Sequence, residues 1–395
     1  MRTFTIVWAS QLVSLLGSAT TAFALAVWCY GTSGAIADLS LLAIAVYAPQ
    51  IALAPYGGSL ADRFDRRRVM LAADVGAAAT TLAMLACAWT GTLTIAVATL
   101  LVAASSACNA LQWPALESAT VTLVPAAQLA RANGMLELSR GAAQLLAPML
   151  GGALVGALGL AGILALDVAS FVVAIAAMAS VRIPRHVESS DRSRHLAEAW
   201  QAIGEHGGLV AMLALFAITS FTFAVVDVAL KPIALGLGAP WQLGAILSTV
   251  GIGMVAGSLA LTAWRQARPR VAVILAFQLV EGGSLVLAGA RPTFAILCVA
   301  AFAYGLVIPL TFGCARMIWQ LVIPAGLQGR VAALRNATVT LAIPLGYAAA
   351  TPLARWLALP SLVIAMGLLT WLAAIVTFAL PRYRALEQLS LERAR

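Results

Sequence analysis

The sequence predicts an all-α polytopic membrane protein. Twelve transmembrane helices would form two six-helix, pseudo-symmetric bundles, with both termini cytoplasmic. Three observations carry this. Of 395 residues, 62% are hydrophobic and 10% charged, against about 45–50% and about 25% in soluble domains. The apolar residues fall into runs of roughly 20, the length that crosses a bilayer core. Arginines crowd every second gap between those runs.

The runs cover 4–30, 39–61, 69–89, 93–111, 132–157 and 160–181, then 208–230, 241–264, 271–288, 294–317, 331–353 and 357–380. The first is too long for a cleavable signal peptide, and Gly17-Ser18-Ala19 lies mid-run with no polar exit. Strand-type alternation is absent, and open sheets cannot sit in lipid, so the runs are read as helices. Gaps on one side carry Arg63, Arg66, Arg67 and Arg68, then Arg131, the Arg182–Arg194 group, Arg265, Arg268 and Arg270, and Arg316 and Arg330. The opposite gaps hold Lys231, Arg291 and Arg355, so all but three of the 24 cations mark one face. By the positive-inside rule that face is cytoplasmic. Both termini then lie inside, which requires an even number of spans.

The longest polar interval divides the chain into a first bundle, 1–181, a loop, 182–207, a second bundle, 208–381, and a cytoplasmic tail, 382–395. The loop holds Pro184, Glu188, Asp191 and an amphipathic helix over 196–206. The two bundles echo each other. Gly58-Ser59-Leu60-Ala61 recurs as Gly257-Ser258-Leu259-Ala260, and Pro125 with Arg131 recurs as Pro324 with Arg330, each 199 positions on. Arg140 with Pro148 is echoed by Arg335 with Pro344 after a short deletion. Parallel six-span repeats around a central loop are one build of a secondary transporter.

Other classes are excluded by what the sequence lacks. The basic residues sit in short gaps, which argues against nucleic acid. No phosphate-binding Gly-x-x-x-x-Gly-Lys-Ser/Thr loop occurs. His186, His195 and His206 are spaced 9 and 11 apart without clustered cysteines, so no metal site is expected. The five cysteines fall in or beside apolar runs and read as packing residues. No catalytic constellation appears, so the chain is not read as an enzyme. A sensor or scaffold remains the rival from another class, although the soluble stretch at 182–207 is too short for a domain.

The second gap reads Gly57-Gly58-Ser59-Leu60-Ala61-Asp62-Arg63-Phe64-Asp65-Arg66-Arg67-Arg68. Gly58 permits close helix approach, Asp62 can accept from a helix N-terminus, and the arginines anchor the cytoplasmic face. This resembles the major facilitator superfamily signature Gly-x-Leu-Ala-Asp-Arg-x-Gly-Arg-Arg, with Asp65 in place of a glycine. Gly141 and Ala147-Pro148-Met149-Leu150-Gly151-Gly152 resemble the superfamily's antiporter motif, with Ala147 replacing its first glycine. Gln11, the stretch from Leu123 to Gly134, Asp167, Trp319-Gln320 and Gln328-Gly329-Arg330 extend the likeness to the branch holding enterobactin exporters and macrolide-efflux proteins. The resemblance implies the major facilitator fold and a gate at Asp62 and its arginines. It further implies export of an amphipathic drug or siderophore-like molecule across the inner membrane, driven by protons without a bound cofactor. A proton-linked importer is the alternative within transport. The fourth run lacks the arginine found in many drug/proton antiporters, which loosens the link to protons.

Acids inside the spans are costly and are read as functional by default. Glu281 lies near the midplane of the ninth run, followed by Gly282-Gly283, and is the first candidate for proton coupling. Asp167 and Asp227 are the others, although Asp227 stands one turn from Lys231 and reads equally as an ion pair. Asp74, Glu137 and Arg140, with Arg131, Arg330 and Arg335, are candidates for a cytoplasmic ion-pair network that forms in one transport state. Trp28, Tyr47, Phe223, Phe277 and Tyr304 are candidate cavity walls. The expected partners are a small-molecule substrate, protons and lipid, with the protein acting as a monomer.

Overall fold

A computed structural model describes residues 2–63, 65–125, 128–181, 195–263, 271–324 and 327–393. They form helices α1 (Arg2–Ser33), α2 (Ile36–Arg63), α3 (Arg66–Trp89), α4 (Ile95–Leu123) and α5 (Leu129–Ser180), with no strand among them. After the central loop come α6 (His195–Gly204), α7 (Gly207–Leu235), α8 (Pro240–Ala263), α9 (Val271–Ala290), α10 (Phe294–Val322), α11 (Gln328–Trp356), α12 (Leu359–Ala379) and α13 (Pro381–Arg393). Among the described residues, eleven helices are long and apolar enough to cross a membrane.

One of the eleven is two spans joined end to end. As a straight rod, the 52 residues of α5 would run more than twice the ~30 Å bilayer core. Gly159 breaks it, with φ 62° and ψ −177°. That left-handed φ costs a residue with a Cβ and costs glycine nothing. The two arms lie on the same helix. Trp8 and Phe23 of α1 touch Met135 and Gly151 of the first arm, while Gly17 between them meets Asp167 and Ser170 of the second. The chain therefore reverses near Gly159, which restores the twelve spans expected from the sequence.

The chain divides into two compact units. The first comprises 1–189 with 238–248, and the second 190–237 with 249–395. In the first, α1 packs on α5, and α4 on α2 and α3. In the second, α7 packs on α11 and α12, and α9 on α10 and α12. Without water to exclude, membrane helices gain by close packing, and small residues allow it. A Cβ at Gly257 would meet the Leu306 carbonyl and Pro309 of α10, and one at Gly305 would meet Val250 of α8. Gly257 is thus a helix contact, in keeping with its place in the internal repeat.

The short helices finish the second unit. The amphipathic helix expected at 196–206 is α6, which buries Ala202 and Ile203 against Leu209, Met212, Trp319 and Leu386. The tail is helical over Pro381–Arg393, and α13 buries Tyr383 and Leu386 in the same cluster. Burial pushes the Tyr383 phenol well above its usual range. Residues 182–194, including His186 and Asp191, lie outside the described residues.

Candidate functional site

The polar groups of the first unit converge on one cavity of 520 Å³. Trp8, Gln11, Ser14 and Ser18 of α1 line it, with Gln50 of α2, Asn109 and Gln112 of α4, and Ser139 and Arg140 of α5. Its size suits a small molecule, and its mix of apolar wall and few polar groups suits an amphipathic one. The lining aromatic among the described residues is Trp8, whose indole N–H donates to the Met135 carbonyl at 2.7 Å. Trp28 and Tyr47 do not line it.

Behind this cavity stands Asp74, fully buried on α3. Gln11 Nε2 donates to its Oδ2 at 3.0 Å, and Gln112 Nε2 donates to its Oδ1. Gln112 Nε2 also donates to Gln11 Oε1 at 2.7 Å. Three helices are thus tied through one carboxylate and two amides. Of the expected ion-pair network, the structure brings together Glu137 and Arg140, at 2.9 Å. Asp74 is held by amides, Arg131 is exposed, and the Arg330 side chain lies outside the described residues. Arg335 stacks over the Trp319 ring at 5.8 Å and donates to Asn336 Oδ1.

The signature loop is described in part. The side chains of Gly58, Asp62, Arg63 and Arg66 lie outside the described residues. Asp65, the residue that departs from the family pattern, is the N-cap of α3. It has an extended backbone, and its carboxylate accepts from the Arg67 N–H at 2.9 Å. That is the favoured role of aspartate at a helix start. Arg67 reaches the C-terminal end of α5, donating to the Met178 carbonyl at 3.0 Å and to the Ala179 carbonyl. A cation on the last carbonyls of a helix is favourable for the same electrostatic reason. Arg68 is exposed.

In the antiporter-like segment, Gly151 lies under the Phe23 ring of α1. A Cβ on Gly152 would stand 3.1 Å from Trp241 Cα and 3.2 Å from Gly244 Cα. Gly244 in turn sits on the Pro148 carbonyl, and Ser248 Oγ donates to the Leu145 carbonyl at 3.0 Å. Pro148 and Gly152 therefore form a backbone-to-backbone seat for the first turns of α8. Gly141 faces open space.

The second unit holds the other acids. Glu281 is buried on α9, 4% exposed, and no described residue gives its carboxylate a hydrogen bond or ion pair. One turn earlier on the same helix, Gln278 is fully buried with neither amide atom hydrogen-bonded among described residues. Tyr304 of α10 is within electrostatic range of Glu281 and of Asp227. Next to Glu281, Gly282 lets α12 approach: a Cβ there would stand 2.7 Å from the Gly367 carbonyl and from Trp371 Nε1. Trp371 Nε1 donates to the Leu279 carbonyl at 2.7 Å and locks that contact. Asp227 pairs with Lys231 at 2.6 Å and accepts from the Tyr347 hydroxyl at 3.0 Å, tying α7 to α11. Phe277 packs against the cluster around Trp319. Phe223 is partly exposed.

Amides, and not only charges and aromatics, build the polar clusters of this protein. Gln50, Asn109, Gln112 and Gln278 carry polar amides that are costly in an apolar surrounding unless hydrogen-bonded. Counting them with the charges is the signal that would have found both polar clusters.

Residues 7–347 match the Major Facilitator Superfamily. The macrolide efflux protein A of Streptococcus pyogenes is 28% identical over 352 residues, covering 87% of each chain. The multidrug efflux pump Tap of Mycolicibacterium fortuitum is 26% identical over 380 residues, covering 90% of each. A bacterial homologue of the iron transporter ferroportin, solved in an inward-facing state, shares the fold with a TM-score of 0.74 at 16% identity, over 96% of this chain and 99% of that one. With the signature between the second and third spans, twelve spans and a family match over 7–347, the chain belongs to the Major Facilitator Superfamily and is a multi-pass membrane transporter, not an enzyme.

Proposed function

We propose that this protein exports an amphipathic small molecule, of which a macrolide is an example, across the bacterial inner membrane in exchange for protons. Its two units would alternate access to the cavity, working as a monomer with both termini in the cytoplasm. Export is supported by relatives that are themselves efflux proteins over most of their length. The observation that carries proton exchange is Glu281, a buried acid with no hydrogen bond or ion pair among the described residues. A buried carboxylate without a counter-charge is stable when it holds a proton, so binding and losing that proton is coupled to whatever wets or dries the site.

Gln278 and Tyr304 supply the polar surroundings in which a water can deliver the proton. Asp227 is spent on Lys231 and Tyr347, so in this reading it fastens α7 to α11 and does not carry protons. Substrate sits against Trp8 and the amides Gln11, Gln50, Asn109 and Gln112, which offer both donors and acceptors. Asp62 and its arginines latch the cytoplasmic side, with Asp65 and Arg67 holding the loop's exit in place. The test is efflux of a radiolabelled macrolide from loaded cells expressing the wild type or Glu281→Gln. Efflux above background in the wild type, reduced at least tenfold in the variant at equal protein level, is expected. Equal efflux from both, still abolished by a protonophore, would move the proton elsewhere. No efflux of any tested amphipathic solute would overturn export.

A further inference from the structure

The polar lining of the 520 Å³ cavity is biased in what it offers a ligand. A glutamine amide carries two N–H donors on nitrogen and two lone pairs on oxygen. Gln112 Nε2 spends one donor on Asp74 Oδ1 and the other on Gln11 Oε1 at 2.7 Å. Gln11 Nε2 gives one of its two donors to Asp74 Oδ2 at 3.0 Å. An ionised carboxylate only accepts, so both amides turn nitrogen towards Asp74. Among described residues this leaves Gln112 Oε1, and the second lone pair of Gln11 Oε1, for a ligand. Asp74 is fully buried and does not itself line the cavity.

The hydroxyls beside these amides are spent in the same direction. Ser18 Oγ donates to Asp167 Oδ1 at 3.2 Å, and Ser139 Oγ donates to the Met135 carbonyl at 3.1 Å. The Trp8 N–H goes to that carbonyl too, at 2.7 Å. A hydroxyl that has given its one proton keeps lone pairs and no donor. Gln11, Gln112, Ser18 and Ser139 therefore present acceptors from α1, α4 and α5, with one remaining N–H, on Gln11, among them. A ligand without donors would strip water from these oxygens and leave them unpaired, which weakens its binding.

We propose that Asp74 is a positioning residue for substrate selection. By holding both amide nitrogens it turns the oxygens of Gln11 and Gln112 to the cavity, which then selects amphipathic solutes that bring hydroxyl or N–H donors. This rests on the reading that substrate occupies this cavity, and it adds which polar groups that substrate carries. It involves no proton transfer, so it stands or falls apart from exchange at Glu281.

The experiment is equilibrium binding of two radiolabelled probes, hexyl glucoside and its tetra-O-methyl ether, to the purified transporter in lipid nanodiscs, with empty nanodiscs as the blank. The ether keeps the frame and the acceptors of the glucoside, has no donor and is more apolar. Expected is saturable binding of the glucoside, at least tenfold tighter than that of the ether. Asparagine at position 74 offers one oxygen and one NH₂ group, so one glutamine must turn its oxygen inward and its own NH₂ to the cavity. Asp74→Asn should therefore cut the preference at least threefold by tightening the ether, whereas a merely structural role would weaken both probes alike. Ser139→Ala, which decides the matter if Asp74→Asn fails to fold, should weaken the glucoside at least threefold and leave the ether unchanged. Equal affinity for the two probes, no saturable binding of the glucoside, or an unaltered preference in the folded variants would overturn the proposal. Equal affinity alongside macrolide efflux that is lost in Glu281→Gln would remove the selection and leave export standing.

Discussion

Replacing Glu281 with glutamine removes a proton-binding group and changes almost nothing in shape, which makes it the sharpest probe of the membrane interior. The residue was legible in the sequence as a lone acid in the middle of an apolar run. The clamp on Asp74 was not, because its partners Gln11 and Gln112 lie on other helices, 63 and 38 positions away. Only packing brings them together. Asp74→Leu should take the acceptor from Gln11 Nε2, leave Gln112 with Gln11 alone, and cost about 1–3 kcal/mol, read as a lower Tm in detergent. Asp74→Asn, which can still hydrogen-bond, should cost less. Tyr383 runs the other way. Its hydroxyl is buried without a hydrogen bond to any described residue, so Tyr383→Phe should leave Tm unchanged or raise it by the equivalent of about 1 kcal/mol. A clear fall in Tm would mean the hydroxyl has a partner.

Helices were the most legible level, since period, length and arginine placement each point to the same spans. The break in α5 falls at Gly159, in the gap between the runs 132–157 and 160–181 that the sequence already separates, although no proline or charge stands beside it. Its left-handed backbone can be read only from coordinates. The stretch expected as a cytoplasmic tail, 382–395, carries Tyr383 and Leu386 at a spacing that buries one face of α13. Two element-scale predictions follow from the caps and seats. Asp65→Ala should cost about 1 kcal/mol through loss of the α3 cap, while Asp65→Asn should retain most of it; thermal unfolding of the pair separates cap from charge. Gly152→Leu should push α8 off the Pro148–Gly152 seat and abolish transport at near-normal expression. Wild-type transport in that variant would show the close contact to be dispensable.

For the whole molecule, the superfamily and its signature were readable from sequence, because the repeat and the charge pattern are long-range regularities of the chain. The division is less tidy than the repeat suggests. The segment 238–248, expected in the second bundle, packs with the first unit through Gly152, Leu145 and Gly244. The cavity was not readable, since it is built by amides from α1, α2 and α4 that only packing brings together. The proposal that both termini are cytoplasmic predicts that reporter fusions at either end are active only as cytoplasmic reporters. A periplasmic signal from one end would break the even span count. The most direct test of proton-driven export is macrolide efflux from preloaded cells under an imposed, then collapsed, proton gradient. The account predicts efflux that rises with the inward gradient, stops with a protonophore and is lost in Glu281→Gln. Efflux that continues at the same rate after the gradient collapses would contradict it.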